Sequence, residues 1–190
     1  AFLRVTGLAD GEGKIRASMR GKYDQVNDFL KVVEDVLKGE RVEKGGRGER
    51  VEGGEKTFTV VDCGCGKAYL TLALYFYLTQ TLGMANVRVI GVDRRNDVIA
   101  SATKMAEQLD LVGKVVFAEA DLMSFDISSL GFERADMVIS LHACDTATDE
   151  ALAKGVEWKA RYIVSVPCCQ HELQKSIGPA ANSPFAGVLR

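Results

Sequence analysis

The stretch VVDCGCGKAYLTLALYFYL, residues 60–78, joins a β-branched run to a long apolar pattern through a short segment rich in glycine and cysteine. The run that ends at Cys63 is continuously apolar, as expected of a strand buried on both faces. The apolar residues after Tyr69 recur at helical spacing. Gly64 and Gly66 therefore lie in a strand-to-helix turn, where the absence of side chains lets a ligand approach the backbone closely.

The strand pattern recurs along the rest of the chain. Short runs rich in Val and Ile occupy residues 58–63, 87–93, 114–118, 135–141 and 161–166, and helical patterns separate most of them. Continuous apolar strands that alternate with helices form parallel sheets covered on both faces. The sequence predicts an α/β fold with a Rossmann-like, doubly wound, mostly parallel sheet in strand order 3-2-1-4-5.

The chain before the sheet divides into two parts. Val26, Phe29, Leu30 and Val33 recur at three- and four-residue steps, which predicts an N-terminal helical segment over residues 1–37. Residues 38–56 contain almost only glycine and charged side chains, and such a composition predicts a flexible loop. Residues 57–190 are expected to form the main domain, truncated at its C-terminus. The chain begins with Ala1, and we expect further domains in a longer protein.

Composition excludes several classes of protein. The 24 basic and 26 acidic residues give a net charge of −2, so no global basic field indicates nucleic acid. No stretch has the length and purity of a transmembrane helix, and no signal peptide opens the chain. Five cysteines without disulfide-scaffold spacing favour reduced thiols. We expect an intracellular protein, in the cytoplasm, that is not bound to a membrane.

Acidic residues follow the predicted strands in register with the glycines. A dinucleotide-binding turn would carry a third glycine at position 69, where this chain has Tyr69. The second strand ends in Asp93, whose carboxylate can accept both hydroxyls of a ribose. Asp121 follows the third strand and can accept from an exocyclic adenine amino group. Together these residues predict a nucleoside site that does not require a phosphate.

With Asp62-x-Gly64-x-Gly66, Asp93 and Asp121 in this order over residues 57–166, the chain resembles the class I S-adenosylmethionine-dependent methyltransferases. The resemblance implies that S-adenosylmethionine is the cofactor. Its methionine part would be held by Asp62 and the glycine loop, its ribose by Asp93 and its adenine by Asp121, flanked by Leu122. The residues assigned to the cofactor are Asp62, Cys63, Gly64, Cys65, Gly66, Tyr69, Asp93, Arg94, Asp121, Leu122 and Leu141.

Two further motifs resemble a narrower group within these methyltransferases. LHACDTATDEAL (141–152) and VPCCQHEL (166–173) are similar to sequences of transfer-RNA 2′-O-methyltransferase-like proteins and of the methyltransferase domain of glutathione S-transferase C-terminal-domain-containing proteins. The chain departs from that pattern at Asp145, where the group commonly has glycine. The resemblance implies RNA as the methyl acceptor, with transfer RNA as the first candidate. The alternatives are a protein or small-molecule methyltransferase, or a non-catalytic domain that binds S-adenosylmethionine as a scaffold.

The acceptor chemistry is expected where the fourth and fifth strands end. His142 and Asp145 follow the fourth strand, and Cys168 and His171 follow the fifth, so these four residues are the candidate catalytic set. A hydroxyl acceptor needs a general base, and the imidazole of His142 or His171 has a pKa near neutrality. A nitrogen acceptor needs mainly alignment.

Alternatives remain for several of these residues. Zinc could be bound by the two histidines together with Cys144, Cys168 and Cys169, which are enough ligands in number. The ligands of ordinary zinc sites are separated by two to four residues, and the pairs His142–Cys144 and Cys169–His171 are not, so we predict no metal. Arg94 and Arg95 could hold the 2′-phosphate of NADP, although Asp93 would repel it. Cys63 and Cys65 are expected to be small buried residues that flank the glycine loop, because Cys is among the most often buried residue types. A basic stretch with Lys14, Arg16, Arg20 and Lys22 could meet RNA phosphates or could be a solvated segment.

Overall fold

The computed structural model describes residues 1–43, 57–141 and 146–167, and the side chains of residues 40–43 are not included. Five helices and five strands are present in these ranges. The helices are α1 (Phe2–Val5), α2 (Arg20–Glu43), α3 (Tyr69–Phe76), α4 (Asn96–Gln108) and α5 (Thr146–Glu157). The strands are β1 (Phe58–Cys63), β2 (Val87–Asp93), β3 (Val115–Glu119), β4 (Met137–Leu141) and β5 (Tyr162–Val166). The described residues also contain short 3-10 turns at Ala17–Met19 and Ile127–Leu130 and a π turn at Tyr77–Thr81.

The strands form one parallel sheet in the order β3-β2-β1-β4-β5. Asp62 at the end of β1 pairs with Gly91 of β2 on one side and Ile139 of β4 on the other. The predicted Rossmann-like fold and strand order are confirmed. The chain turns from one side of β1 to the other between β3 and β4, so the carboxyl ends of β1 and β4 meet at the topological switch point, where ligands bind in open α/β sheets.

Both faces of the sheet are covered, as the continuous apolar strands require. On one face, Val60, Val89 and Met137 pack with apolar residues of α2, α3 and α4. On the other face, Val61 and Ile90 pack with α5 and the segment around Ile127–Leu130. The described part of the chain contains no helix that is both long enough and apolar enough to span a bilayer.

Helix α2 is longer than the sequence suggests. Its apolar face carries the predicted residues Val26, Phe29, Leu30 and Val33, all of which are buried in the core. The expected end was residue 37, but the helix continues to Glu43, so the first six residues of the predicted loop are helical. Helical backbone hydrogen bonds do not depend on burial, and an apolar pattern therefore marks the docked part of a helix rather than its end. The remainder of the predicted loop, residues 44–56, lies outside the described residues.

The first fifteen residues pack onto the domain, although their sequence shows no periodicity. Leu8 and Ala9 are buried, and Ala9 forms an isolated antiparallel bridge with Ile15. The ring of Phe2 lies against Phe76 at the end of α3, with 5.6 Å between ring centroids. These contacts fix the segment that enters the Ala17–Met19 turn and α2.

Candidate functional site

A cleft of about 1030 Å³ opens at the carboxyl ends of the strands. Its volume is just above the usual range for small-molecule sites, which is about 300–1,000 Å³. All eleven residues that the sequence assigns to the cofactor line it. They are Asp62, Cys63, Gly64, Cys65, Gly66, Tyr69, Asp93, Arg94, Asp121, Leu122 and Leu141.

The glycine loop forms the floor of the cleft between β1 and α3. Gly64 and Gly66 have φ angles of +77° and +51°, a conformation that side chains disfavour. The amides of Gly64 and Cys65 both donate to the carbonyl of Val92, at 2.9 and 3.0 Å. These bonds tie the loop to the end of β2, so a ligand over the glycines also lies beside the end of β2.

Gly91 in β2 is a third glycine on which this geometry depends, and no motif in the sequence analysis pointed to it. A Cβ at Gly91 would lie 2.7 Å from the ring of Phe117 and 3.0 Å from Cys65 Sγ. Contacts this short require a shift of the neighbouring atoms. The bare backbone at Gly91 therefore lets the glycine loop pack down onto β2.

Asp62 lies at the end of β1 and is almost completely buried, with 2% of its surface exposed. The hydroxyl of Thr71 in α3 donates to its Oδ2 at 2.6 Å. Burial raises the pKa of Asp62 to about 7, against the opposing effect of the Thr71 hydrogen bond, and the charge of Asp93 raises it further. A cation brought to this carboxylate would favour its ionised form.

Asp93 ends β2 with its side chain 10% exposed. Its Oδ2 accepts from the amide of Gly66 at 2.9 Å. Its Oδ1 accepts from the amide of Arg95 at 3.0 Å and from Arg95 Nε at 3.2 Å. The carboxylate thus joins the glycine loop to the start of α4 at the rim of the cleft.

Asp121 and Leu122 follow β3 on the same rim. Asp121 Oδ1 accepts from the amide of Met123 at 3.0 Å, which closes a turn. The amide of Ala120 donates to the carbonyl of Asp93 at 3.1 Å, so the turns after β2 and β3 are held together. Leu122 packs against the core on the α5 side of the sheet.

The two cysteines of the loop have the environment of packing residues. Cys63 and Cys65 are buried, free thiols, and burial raises the pKa of both. A raised pKa keeps a thiol protonated and unreactive. Among residues 1–43, 57–141 and 146–167, no group of three or more His, Cys, Asp or Glu side chains could hold a metal ion.

The candidate catalytic residues His142, Asp145, Cys168 and His171 lie outside the described residues, as do Cys144 and Cys169 of the zinc alternative. The described residues on either side of 142–145 show where this segment leaves and rejoins the described part of the chain. Leu141 at the end of β4 and Thr146 at the start of α5 both line the cleft.

The structure adds residues to the cleft that the sequence analysis did not assign. The N-terminal segment contributes Ser18, Met19, Lys22 and Val26, so the start of α2 and the turn before it form one wall. The periodicity of α2 indicated which face is buried, but not that its first turns extend over the cleft. The other additional lining residues are Lys67, Leu70, Val92, Arg95, Ala120, Thr146, Ala147 and Glu150.

A family model described as a methyltransferase domain matches residues 21–176. The chain belongs to this family. The match extends from the first turn of α2 to beyond β5, so the helix that forms the cleft wall is part of the methyltransferase domain. The resemblance to class I methyltransferases is thereby confirmed at the level of the family, and S-adenosylmethionine is the donor that this class of domain implies. No curated protein matches the chain.

Solved structures that resemble this methyltransferase domain include three methylases. Coclaurine N-methyltransferase bound to N-methylheliamine and S-adenosylhomocysteine has 21% identity and a TM-score of 0.40 over 58% of this chain and 30% of that chain. A putative rRNA methylase from Clostridium thermocellum has 24% identity and a TM-score of 0.40 over 53% of this chain and 56% of that one. TrmK of M. capricolum in complex with S-adenosylhomocysteine has 16% identity and a TM-score of 0.43 over 63% and 50%.

The chain spans between 30% and 56% of the lengths of these three structures. At such scores and identities, what each of them binds or methylates is a property of that protein alone.

Proposed function

We propose that this domain binds S-adenosylmethionine in the cleft and transfers its methyl group to RNA, with transfer RNA as the first candidate. The observation that carries the proposal is the position of Asp62, Asp93 and Asp121. Asp62 and Asp93 lie at the carboxyl ends of β1 and β2, and Asp121 follows β3, the next strand of the sheet. All three line one cleft together with the glycine loop. When bound, the donor supplies a methyl group on a positively charged sulfur, which is a good leaving group.

The residues of the cleft fit such a molecule in size and charge. Asp93 presents a carboxylate suited to ribose hydroxyls beside a loop whose glycines admit close approach. Asp62 is a buried carboxyl group that an ammonium group would hold in the ionised form. Leu122 offers an apolar side chain next to Asp121, as a flat adenine ring with an amino group requires.

Apart from binding the donor, the protein must align the acceptor atom with the methyl group and exclude water from the cleft. The wall formed by Met19, Lys22 and Val26 covers one side of the cleft, and Leu141 lies at the end of β4. We propose His142 as the general base if the acceptor is a hydroxyl, with Asp145, Cys168 and His171 as neighbours of the acceptor. For a nitrogen acceptor, His142 would act through positioning.

Basic side chains of the N-terminal segment and of the cleft support RNA as the acceptor. Lys14, Arg16 and Arg20 are exposed on the N-terminal segment, and Lys22 of the same segment lines the cleft. Lys67, next to the glycine loop, and Arg94, after β2, are exposed and also line the cleft. Exposed cations near a cleft attract a phosphate backbone even where the net charge of the chain is slightly negative. We also propose the narrower group of transfer-RNA 2′-O-methyltransferase-like proteins on the motifs at 141–152 and 166–173.

Labelled S-adenosylmethionine incubated with total RNA and, separately, with total protein tests the acceptor. We expect nuclease-sensitive label in RNA, and the double variant Lys14→Ala, Arg20→Ala should weaken RNA binding and reduce its salt dependence by a slope of about 2 without changing donor affinity. Lys104→Ala, which removes an exposed charge far from the cleft on α4, is the control.

The other outcomes separate the alternatives. Label in protein alone would identify a protein methyltransferase, and a domain that binds the donor but labels neither pool would be a scaffold. His142→Ala should lower the methylation rate by roughly 10²–10⁴-fold if a hydroxyl is methylated. Normal turnover in a stable His142→Ala protein would exclude the general-base role.

A further inference from the structure

The Asp93 carboxylate already accepts three hydrogen bonds from the protein. The amide of Gly66 donates to Oδ2, and both the amide and Nε of Arg95 donate to Oδ1. A carboxylate has about four acceptor sites. About one site therefore remains for a ligand, while a ribose that presents two hydroxyls needs two.

The three donors differ in how easily they can leave. The Gly66 amide is fixed by the loop, and the Arg95 amide is fixed at the start of α4, where the Arg95 carbonyl accepts from the amide of Ile99 at 3.2 Å. The Arg95 side chain is 58% exposed and is attached to a flexible stem. Its Nε bond to Asp93 is thus the one that can be exchanged.

The Arg95 guanidinium also lies over the glycine loop. A Cβ built on Gly66 would lie 3.7 Å from Arg95 Nη2. The side chain therefore reaches from the Asp93 carboxylate to the turn at Gly66, across the part of the cleft where a ribose held by Asp93 would lie. Arg95 is a lining residue of this cleft.

We propose that Arg95 is a positioning residue that covers Asp93 in the ligand-free domain, and that ribose hydroxyls displace its side chain from Oδ1 when a nucleoside binds. The inference rests on the proposed function, because it takes Asp93 as the ribose acceptor. Arg95 keeps Asp93 oriented and its charge paired until the donor arrives. Because the Arg95–Asp93 ion pair must break when a nucleoside binds, it lowers the affinity for the nucleoside. The loss is only roughly two- to fivefold, since exposed ion pairs are weak.

Calorimetry with adenosine and 2′,3′-dideoxyadenosine tests this exchange. Arg95→Ala should bind adenosine two- to fivefold more tightly than the wild type, and should bind 2′,3′-dideoxyadenosine with unchanged affinity, since that probe has no hydroxyls to compete with the side chain. Lys104→Ala is the matched control, because it removes one exposed positive charge from α4, the helix that Arg95 precedes, and Lys104 does not line the cleft. Arg95→Lys, which can still pair with the carboxylate, should restore most of the wild-type affinity.

Salt gives a second readout that a purely structural role would not affect. Adenosine is uncharged, so raising the salt concentration from about 50 to about 500 mM should act mainly on the Arg95–Asp93 pair. Wild-type affinity for adenosine should rise towards that of Arg95→Ala, whose own affinity should stay constant. Melting curves would verify that both variants are folded.

Results that contradict the role of Arg95 can be told apart from results that contradict the proposed function. Weaker adenosine binding by Arg95→Ala would show that Arg95 contacts the ligand instead of yielding to it. Equal affinities of wild type and variant at all salt concentrations, or equal gains for both probes, would also overturn the inference. A wild-type protein that binds neither adenosine nor S-adenosylhomocysteine would reject the proposed function itself. Normal S-adenosylhomocysteine binding with any of the other contradicting results would reject the role of Arg95 alone.

Discussion

Asp62 is deeply buried and lines the cleft, at the position where we propose that the amino group of the donor binds. Burial raises the pKa of Asp62 to about 7, so the side chain is mostly neutral below that pH in the free domain. An unfolded chain would ionise it near pH 4. The free energy of unfolding of the free domain therefore falls as pH rises from about 4 to about 7 and stays at the lower level above pH 7. A cation bound beside the carboxylate offsets this loss by stabilising the ionised form.

Ligand affinity should consequently depend on pH through Asp62. We expect the affinity for S-adenosylhomocysteine to rise about tenfold from pH 6 to pH 8, with proton release on binding at pH 6. Asp62→Asn should bind more weakly at pH 8 and lose this dependence. It should also melt at a higher temperature than the wild type at pH 8, because a buried charge that costs on the order of 4 kcal/mol is removed.

Titration calorimetry in buffers of different ionisation enthalpy measures both affinity and proton release. Asp110→Asn is a suitable control, because Asp110 is exposed and its left-handed backbone, with φ of +59°, tolerates asparagine. A wild-type affinity that is flat between pH 6 and pH 8 would contradict the role of Asp62.

Helix α2 links the stability of the fold to the shape of the cleft. Its buried face packs against α3, and Tyr77 in the π turn that follows α3 donates to Glu34 at 2.6 Å. Met19 and Lys22, immediately before and within its first turn, line the cleft. Loosening α2 should therefore affect ligand binding as well as unfolding.

Phe29→Ala is the change that tests this link. Phe29 is buried in the core, and truncation of a buried Phe costs about 3–5 kcal/mol, which for a domain of this size lowers the melting temperature by about 10 °C. Affinity for S-adenosylhomocysteine should fall as the wall of the cleft loosens. Val32→Ala on the same helix, where Val32 is 44% exposed, should change neither quantity appreciably. Equal melting temperatures for the two variants would mean that α2 is not docked as described.

At the scale of the whole molecule, local patterns predicted the sheet because each strand is a continuous apolar run. Strand order then follows from crossover handedness, and the ends of β1, β2 and β3 bring Asp62, Asp93 and Asp121 to one cleft. Contacts between segments that are distant in the sequence could not be predicted in this way. The approach of residues 17–26 to the cleft and the fit of Phe117 over Gly91 depend on packing between elements, which a linear pattern does not encode.

The span of the helices was likewise less predictable than their buried faces. The buried face of α2 could be predicted from its apolar spacing, but its extension to Glu43 could not, because the apolar spacing ends at Leu37 and residues 38–43 are mostly charged. The direction of a side chain was also not predictable from the sequence. Arg94 and Arg95 both follow Asp93, but which of them reaches its carboxylate depends on the direction in which α4 begins.

The most direct test of the account is calorimetric titration of S-adenosylhomocysteine into the wild-type protein and Asp93→Ala. We predict binding at roughly micromolar affinity, about 8 kcal/mol, for the wild type and at least a tenfold loss for the variant. Asp97→Ala, which removes an exposed carboxylate of α4 outside the cleft, should bind as the wild type does. Absence of binding to the wild type, or equal affinities for the wild type and Asp93→Ala, would contradict the assignment of this cleft to the methyl donor.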